Sequence, residues 1–192
     1  MIKCFRKGGK TCPAVSGENQ YHAVMGTKKC FAVCPSDTAM ALTALGATLT
    51  VAGGKDTRTL PVEDFYTPLG NALTPGEMIT AINIPKPSPV ARQSFLKFTL
   101  RKPIDFAIVS VALIITLDQG ICADACIVLG AVAPAPVRAL KAEEYLKGKE
   151  LSEETAAEAA ELALAGAKPL SKNAYKLEIA KTLVKRVVKG LV

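Results

Sequence analysis

The spacing of apolar side chains along this chain changes character several times, and each change predicts an element. Residues 1–33 show no period: they are rich in glycine and polar side chains and read as a loop that needs a metal or a partner to hold its shape. From residue 34 the pattern becomes helical. Pro35-Ser36-Asp37 leads into Ala39, Ala41, Leu42 and Leu45 and stops at Gly46, which predicts a short helix with Ser36 or Asp37 at its N-terminus. Residues 48–51 alternate, Gly53-Gly54-Lys55-Asp56 has the chemistry of a turn, and residues 58–61 return as the second arm of a hairpin. Thr74-Pro75-Gly76-Glu77 carries the spacing of a capping box with proline at the first position, and Met78 to Ile84 predicts a strand. Pro85, Pro87 and Pro89 break every pattern, and a domain boundary belongs there, between units 1–87 and 91–192.

Beyond the break the order is strands first, then helices. Residues 94–100 and 109–117 read as strands, the second buried on both faces given its Val, Ile and Leu content. Asp118-Gln119-Gly120 turns the chain into a third strand, 125–133, which Ile121 and Cys122 begin to form. Alternation there puts Cys122 and Cys126 on one face, as two small apolar residues turned to a core. Helices follow at 140–146, after Ser152 with Glu153 and Glu154 in the first turn, and from Asn173 to about Lys189. In the last, Leu177, Ala180, Leu183, Val184 and Val187 form a stripe with Lys and Arg opposite, the width of a helix that covers a sheet rather than one that lies on a membrane. The fold class is therefore α+β, an antiparallel sheet packed with C-terminal helices and preceded by a smaller unit.

Composition narrows the function classes. With 49% hydrophobic and 21% charged residues among 192, the chain is globular, not disordered or fibrous. Its longest apolar stretch, 109–117, is far short of the roughly 20 residues of a membrane helix. No apolar leader follows Met1, so a cytoplasmic setting is expected. The net charge is +7, and the excess is N-terminal: residues 1–60 carry eight Lys and Arg against three Asp and Glu. Only Phe5, Tyr21 and Phe31 are there to stack on bases, and no nucleic-acid motif accompanies them, so the basic excess reads as a solvated face or a surface for an acidic partner or cofactor. A single histidine and no G-x-S-x-G, G-x-G-x-x-G or Walker loop leave no hydrolase or nucleotide-loop chemistry.

Four of the six cysteines, Cys4, Cys12, Cys30 and Cys34, fall within the first 34 residues. Clustering of this kind in a cytosolic chain points to metal or redox chemistry, and nearby glycines and cations would suit a thiolate-bound core. The C-x7-C-x17-C-x3-C spacing matches no zinc ribbon or ferredoxin run, so buried thiols are the competing reading.

Several segments bear a family likeness. Cys4-Phe5-Arg6-Lys7-Gly8-Gly9, Tyr21-His22-Ala23-Val24, Cys30-Phe31-Ala32-Val33-Cys34-Pro35-Ser36-Asp37 and Arg101-Lys102-Pro103-Ile104-Asp105-Phe106-Ala107 resemble the FAD-binding medium subunit of the molybdenum hydroxylases, the xanthine dehydrogenase and carbon monoxide dehydrogenase family. Gly130-Ala131-Val132-Ala133-Pro134-Ala135-Pro136 and Asn173-Ala174-Tyr175-Lys176 resemble its C-terminal flavoprotein domain. The cysteine-rich start is most similar to the branch typified by 4-hydroxybenzoyl-CoA reductase, whose flavin subunit carries an additional 4Fe-4S cluster.

The resemblance implies an FAD-binding electron-transfer subunit that relays electrons between iron-sulfur clusters and NAD or another acceptor. Its expected partners are a molybdenum-cofactor large subunit and a 2Fe-2S small subunit. It implies flavin contacts at Asp37, Ile79, Lys97, Phe106 and Ile108, a helix cap being the alternative role for Asp37, while Asp105 reads as a turn cap. For the cluster it implies Cys4, Cys12 and Cys30 as three of four ligands, the branch's remaining cysteine lying upstream, with Cys34, where the family usually has His, either a substitute fourth ligand or a neutral replacement. The family opens with a subdomain whose Gly-rich loop cradles the FAD pyrophosphate; no such loop stands in this sequence, and a separate chain is one source for it. The alternative to an electron-transfer subunit is a non-enzymatic cysteine-rich metal-binding or assembly module that has lost flavin.

Overall fold

The structure is a computed structural model and describes residues 3–26, 29–102 and 104–191, so Lys28 and Pro103 of the segments above lie outside the described residues. The N-terminal segment carries two single 3-10 turns, Phe5–Lys7 and Pro13–Val15, and is otherwise irregular. Helix α1 (Asp37–Ala44) follows, and Ser36 is its cap, the hydroxyl accepting from the Ala39 amide at 3.1 Å. Gly46, at φ +65°, ends the helical run in a conformation that costs glycine little.

Strands β1 (Thr48–Gly53) and β2 (Asp56–Pro61) form the expected hairpin. A short α2 (Val62–Phe65) and a two-residue pair, β3 (Tyr66–Thr67) with β4 (Gly70–Asn71), lead to β5 (Glu77–Asn83). The latter lies against the other edge of β1, giving an antiparallel sheet in the order β2-β1-β5. Thr74–Glu77 does not start a helix. The Glu77 carboxylate accepts from the Thr74 amide at 2.6 Å as a capping box would, but the same carboxylate grips Arg58 at 2.7 and 2.9 Å and the chain leaves it as a strand. Ala47, Leu49, Val51 and Val62 form the small core beneath this sheet, with Leu42 and Ile79 packed against it.

After the irregular proline-rich stretch, β6 (Ala91–Phe98), β7 (Val109–Asp118), β8 (Ile121–Gly130) and the short β9 (Val137–Arg138) form an antiparallel sheet in sequence order. Helices α3 (Leu140–Leu146), α4 (Glu153–Ala163) and α5 (Tyr175–Lys189) cover one face of it. The main core lies between them, where Val109, Val111, Leu113 and Ile115 of β7 meet Ala180, Val184 and Val187 of α5. Alternation turns Ser110, Ala112 and Ile114 to the opposite face, where Met40 and Ala44 of α1 pack. Helix α1 thus sits between the sheets, giving Leu42 to one and Met40 to the other.

Three expectations at this level need correction. Cys122 and Cys126 do not share a face: Thr116 pairs with Asp124 and Leu117 with Cys122, so Ala123 is an extra residue in the ladder. Such a bulge slips the alternation by one, sending Cys122 into the helix-side core and Cys126 toward α1. Strand β8 stops at Gly130 instead of continuing to 133, because Ala131 takes φ +58° and leaves the ladder. Asn173 does not cap α5, whose first flanking residue is Ala174 without a side-chain cap; the Asn173 carboxamide is used elsewhere.

Candidate functional site

The N-terminal segment expected to need a partner finds one in the C-terminal half of its own chain. The Val24 and Met25 amides both donate to the Val132 carbonyl, at 2.8 and 2.9 Å, and Cys34 exchanges backbone bonds with Ala133 and Ala131. Three buried polar side chains complete the attachment. Asn19 donates to the Ala14 and Gly17 carbonyls while its own oxygen accepts from the Lys172 amide at 2.9 Å. Asn173 donates to the His22 and Ala23 carbonyls at 3.1 and 3.2 Å and accepts from the Leu170 amide at 2.6 Å. Lys176, 1% exposed, directs its ammonium at the carbonyls of Ala131 (2.5 Å), His22 (3.2 Å) and Tyr21 (3.5 Å). Burial without a carboxylate holds this lysine at a pKa of about 8. Desolvation, with the Lys176 charge beside it, likewise pushes His22 below the usual histidine range. These groups turn an aperiodic segment into a fixed strap over the end of β8.

Beside the strap lies a pocket of about 410 Å³ whose walls come from both halves of the chain. Tyr21, Val33 and Pro35 form one side; Leu100, Phe106 and Ile108, in the loop between β6 and β7, form the other. The loop is shaped by Asp105, whose carboxylate accepts from the Arg101 guanidinium at 3.0 and 3.3 Å and from the amides of Arg101 and Phe106 at 3.2 and 2.9 Å. Those bonds, the guanidinium foremost, hold the Asp105 carboxyl below the usual carboxylate range, and they make it the residue that closes the turn. Phe106 is left 73% exposed at the pocket mouth, an apolar ring kept in water by a rigid loop.

The polar end of the site is built by α1 and β6. Because Ser36 caps the helix, the Asp37 carboxylate is available for another role, and its position three residues before Met40 places it on the face turned to the four-stranded sheet. There Asp37 Oδ2 accepts from Lys97 Nζ at 2.7 Å, and the same ammonium donates to the Asp105 carbonyl at 3.1 Å, on the pocket rim. The second oxygen, Oδ1, is covered and has no hydrogen-bond partner, although the side chain as a whole is 44% exposed. An unsatisfied carboxylate oxygen of this kind costs stability. An apolar slot with an ion pair tied to its rim fits a flat, largely apolar ring carrying polar substituents.

Four of the five flavin candidates therefore converge: Asp37 and Lys97 pair at the rim, and Phe106 and Ile108 line the slot. Ile79 is not brought there. It lies on β5 opposite Val51 and packs into the small core under the other sheet. Tyr21, Val33, Pro35 and Leu100 are pocket residues that pattern reading passed over, since residues 1–33 have no period and their place depends on the strap. The signal available was the Tyr21-His22-Ala23-Val24 likeness itself.

Cys4, Cys12, Cys30 and Cys34 are not assembled as a ligand set. Among the described residues no group of three or more His, Cys, Asp or Glu side chains is placed to hold a metal ion. Cys4 and Cys12 are half-buried at the starts of the two 3-10 turns, and the Cys30 sulfur accepts from Arg6 Nε at 3.3 Å. The Cys34 backbone pairs with Ala131 and Ala133, and burial pushes its thiol up. The residues as arranged do not fit a cluster.

Comparison with known proteins gives the class. Residues 94–191 match the family described as the CO dehydrogenase flavoprotein C-terminal domain, and residues 20–87 match the FAD binding domain in molybdopterin dehydrogenase. The chain belongs to the family of FAD-binding medium subunits of the molybdenum hydroxylases. Among individual relatives, it is 34% identical to the aldehyde oxidoreductase FAD-binding subunit PaoB of Escherichia coli (strain K12), over 95% of this chain and 57% of that protein. It is 32% identical to the carbon monoxide dehydrogenase medium chain of Afipia carboxidovorans, over 75% of this chain and 51% of that one. In structure it is similar to quinoline 2-oxidoreductase from Pseudomonas putida 86, with a TM-score of 0.74 at 32% identity, covering 80% of this chain and 55% of the other. The Cu,Mo-CO dehydrogenase is comparable, with a TM-score of 0.73 at 29% identity over 79% and 55%. The chain thus spans just over half the length of the curated relatives it matches, and the α+β architecture with antiparallel sheets is theirs.

Proposed function

We propose that this chain supplies the ring-binding half of the FAD site in the medium subunit of a molybdenum hydroxylase. The observation that carries the reading is the apolar pocket between strap and loop, with the Asp37–Lys97 ion pair tied to its lining through the Asp105 carbonyl. In this reading Asp37 accepts from the flavin or its ribityl chain, Lys97 orients that carboxylate, and Phe106 and Ile108 shield the ring from water. Bound FAD supplies the redox chemistry; the chain contributes no substrate-oxidising residue. The complex around it comprises a molybdenum-cofactor large subunit and a 2Fe-2S small subunit, from which electrons pass to FAD and on to NAD or another acceptor. Polypeptide outside these 192 residues, on this or a separate chain, carries the pyrophosphate-binding loop. The setting is the cytoplasm, and the units 1–87 and 91–192 act as the FAD-binding and C-terminal flavoprotein domains. Among the described residues no helix is long and apolar enough to cross a membrane.

The test is anaerobic purification of this chain together with the polypeptide that carries the pyrophosphate-binding loop, followed by a visible spectrum and flavin quantification, with Asp37→Ala in parallel. The expected result is near-stoichiometric FAD with an absorption band near about 450 nm. The variant is expected to retain FAD roughly tenfold less tightly, the loss of one charge-assisted hydrogen bond. A folded protein that neither carries nor takes up FAD overturns the reading.

A further inference from the structure

We infer that Tyr21 is a wall of the flavin-ring pocket, presented by a strap that the buried side chains of Asn19, Asn173 and Lys176 lock to the C-terminal half of the chain. The inference rests on the proposed FAD site and goes beyond it by assigning a ring contact to the N-terminal strap, which the family likeness treats as cluster-binding and which no metal-binding group occupies among the described residues.

Three observations carry it. Tyr21 lines the same pocket as Phe106 and Ile108 while 51% of it stays exposed, so an aromatic side chain is held at the surface beside a second exposed aromatic. Solvent-facing aromatic rings at an apolar slot cost hydration free energy unless something flat covers them, and a planar ligand ring does so by stacking. The backbone on both sides of Tyr21 is fixed to an unusual degree. The carbonyls of Gln20, Tyr21, His22 and Ala23 accept in turn from Tyr175, Lys176, Asn173 with Lys176, and Asn173. The His22 amide also closes on the Asn19 carbonyl at 3.0 Å. Burying a lysine and two asparagines to satisfy a run of loop carbonyls is costly for shape alone, and it is what a preorganised ligand contact requires of its supports. Tyr21 would touch the bound ring; Asn19, Asn173 and Lys176 are positioning residues.

The experiment compares wild type, Tyr21→Phe and Tyr21→Ala in the protein with its natural partners, by FAD titration and flavin fluorescence. The side chain is half exposed, so neither variant threatens the fold. Stacking on tyrosine quenches flavin fluorescence, and Tyr21→Ala is expected to raise the emission of the bound flavin and weaken FAD binding about fivefold to tenfold. Tyr21→Phe keeps the stack and is expected to keep the affinity. If wild type binds FAD and Tyr21→Ala leaves both affinity and emission unchanged, Tyr21 is only a surface residue and the inference fails while the function stands. If wild type binds no FAD, the proposed function fails and the inference with it.

Discussion

Replacing Asn173 with alanine probes the joint that makes the strap part of the fold. Asn173 is fully buried, and its carboxamide serves three backbone groups: the His22 and Ala23 carbonyls and the Leu170 amide. After Asn173→Ala the His22 carbonyl keeps Lys176 at 3.2 Å, but the Ala23 carbonyl and the Leu170 amide lose the partner the carboxamide gave them. At about 1–3 kcal/mol for each of the two groups left unpaired, the cost is about 2–6 kcal/mol. That is a large share of the roughly 5–15 kcal/mol by which a domain is stable. In urea the midpoint should fall by about 1–2 M. Hydrogen exchange should show where the damage lies: the amides of Ala23, Val24 and Met25, bonded to Phe31 and Val132, lose protection before those of β7. Asn173→Asp keeps the acceptor for Leu170 but points a charged oxygen at two carbonyls, and is expected to be no better than alanine. A loss of less than about 1 kcal/mol, or exchange that rises uniformly over the chain, would refute the reasoning.

Two further predictions follow from the packing and the charges. A Cβ at Gly130 would stand 1.9 Å from Met40 Sδ and 2.5 Å from Ser110 Oγ, both buried, so Gly130→Ala should cost about 1–3 kcal/mol. Scanning calorimetry should show a Tm lower by about 2–10 °C, and an unchanged Tm would mean that α1 can slide freely on the sheet. Lys176 has its pKa lowered by burial to about 8, against about 10.4 in an unfolded chain. Between those values the unfolded state binds the extra proton, so the contribution of Lys176 to stability rises with pH through that window. Measured by urea unfolding, wild type should gain on Lys176→Met as pH is raised from about 8 to about 10; a gap that shrinks instead would show that the ammonium is stabilised by its carbonyls beyond its desolvation cost.

Much of the architecture was legible in one dimension because it depends on neighbours close in sequence. Ser152 with its first-turn glutamates predicts α4, and the stripe from Leu177 to Val187 predicts the buried face of α5. The hairpin 48–61 and the order of strands then helices after residue 91 follow from alternation and turn chemistry alone. Pattern fails where a partner distant in sequence decides. The bulge at Ala123 separates Cys122 from Cys126 because the ladder with β7, not the local alternation, sets which side each faces. Asn173 looks like a cap by residue type, yet its carboxamide goes to carbonyls 150 and 151 residues away.

The candidate site divides the same way. Local sequence by itself determined that Asp37 opens a helix, that Asp105 caps a turn, and, through likeness, that the chain is a flavoprotein subunit. Tertiary structure alone decided which of these meet. It set Asp37 against Lys97 across 60 residues, brought Tyr21, Val33 and Pro35 to Phe106, left Ile79 under another sheet, and kept the four N-terminal cysteines from forming a metal group. The reason is that helix caps, turns and amphipathic stripes are settled by free energies within a few residues, whereas a pocket wall is settled by which distant surfaces bury together. A segment without periodicity, such as residues 1–33, acquires its shape only from the groups it docks against.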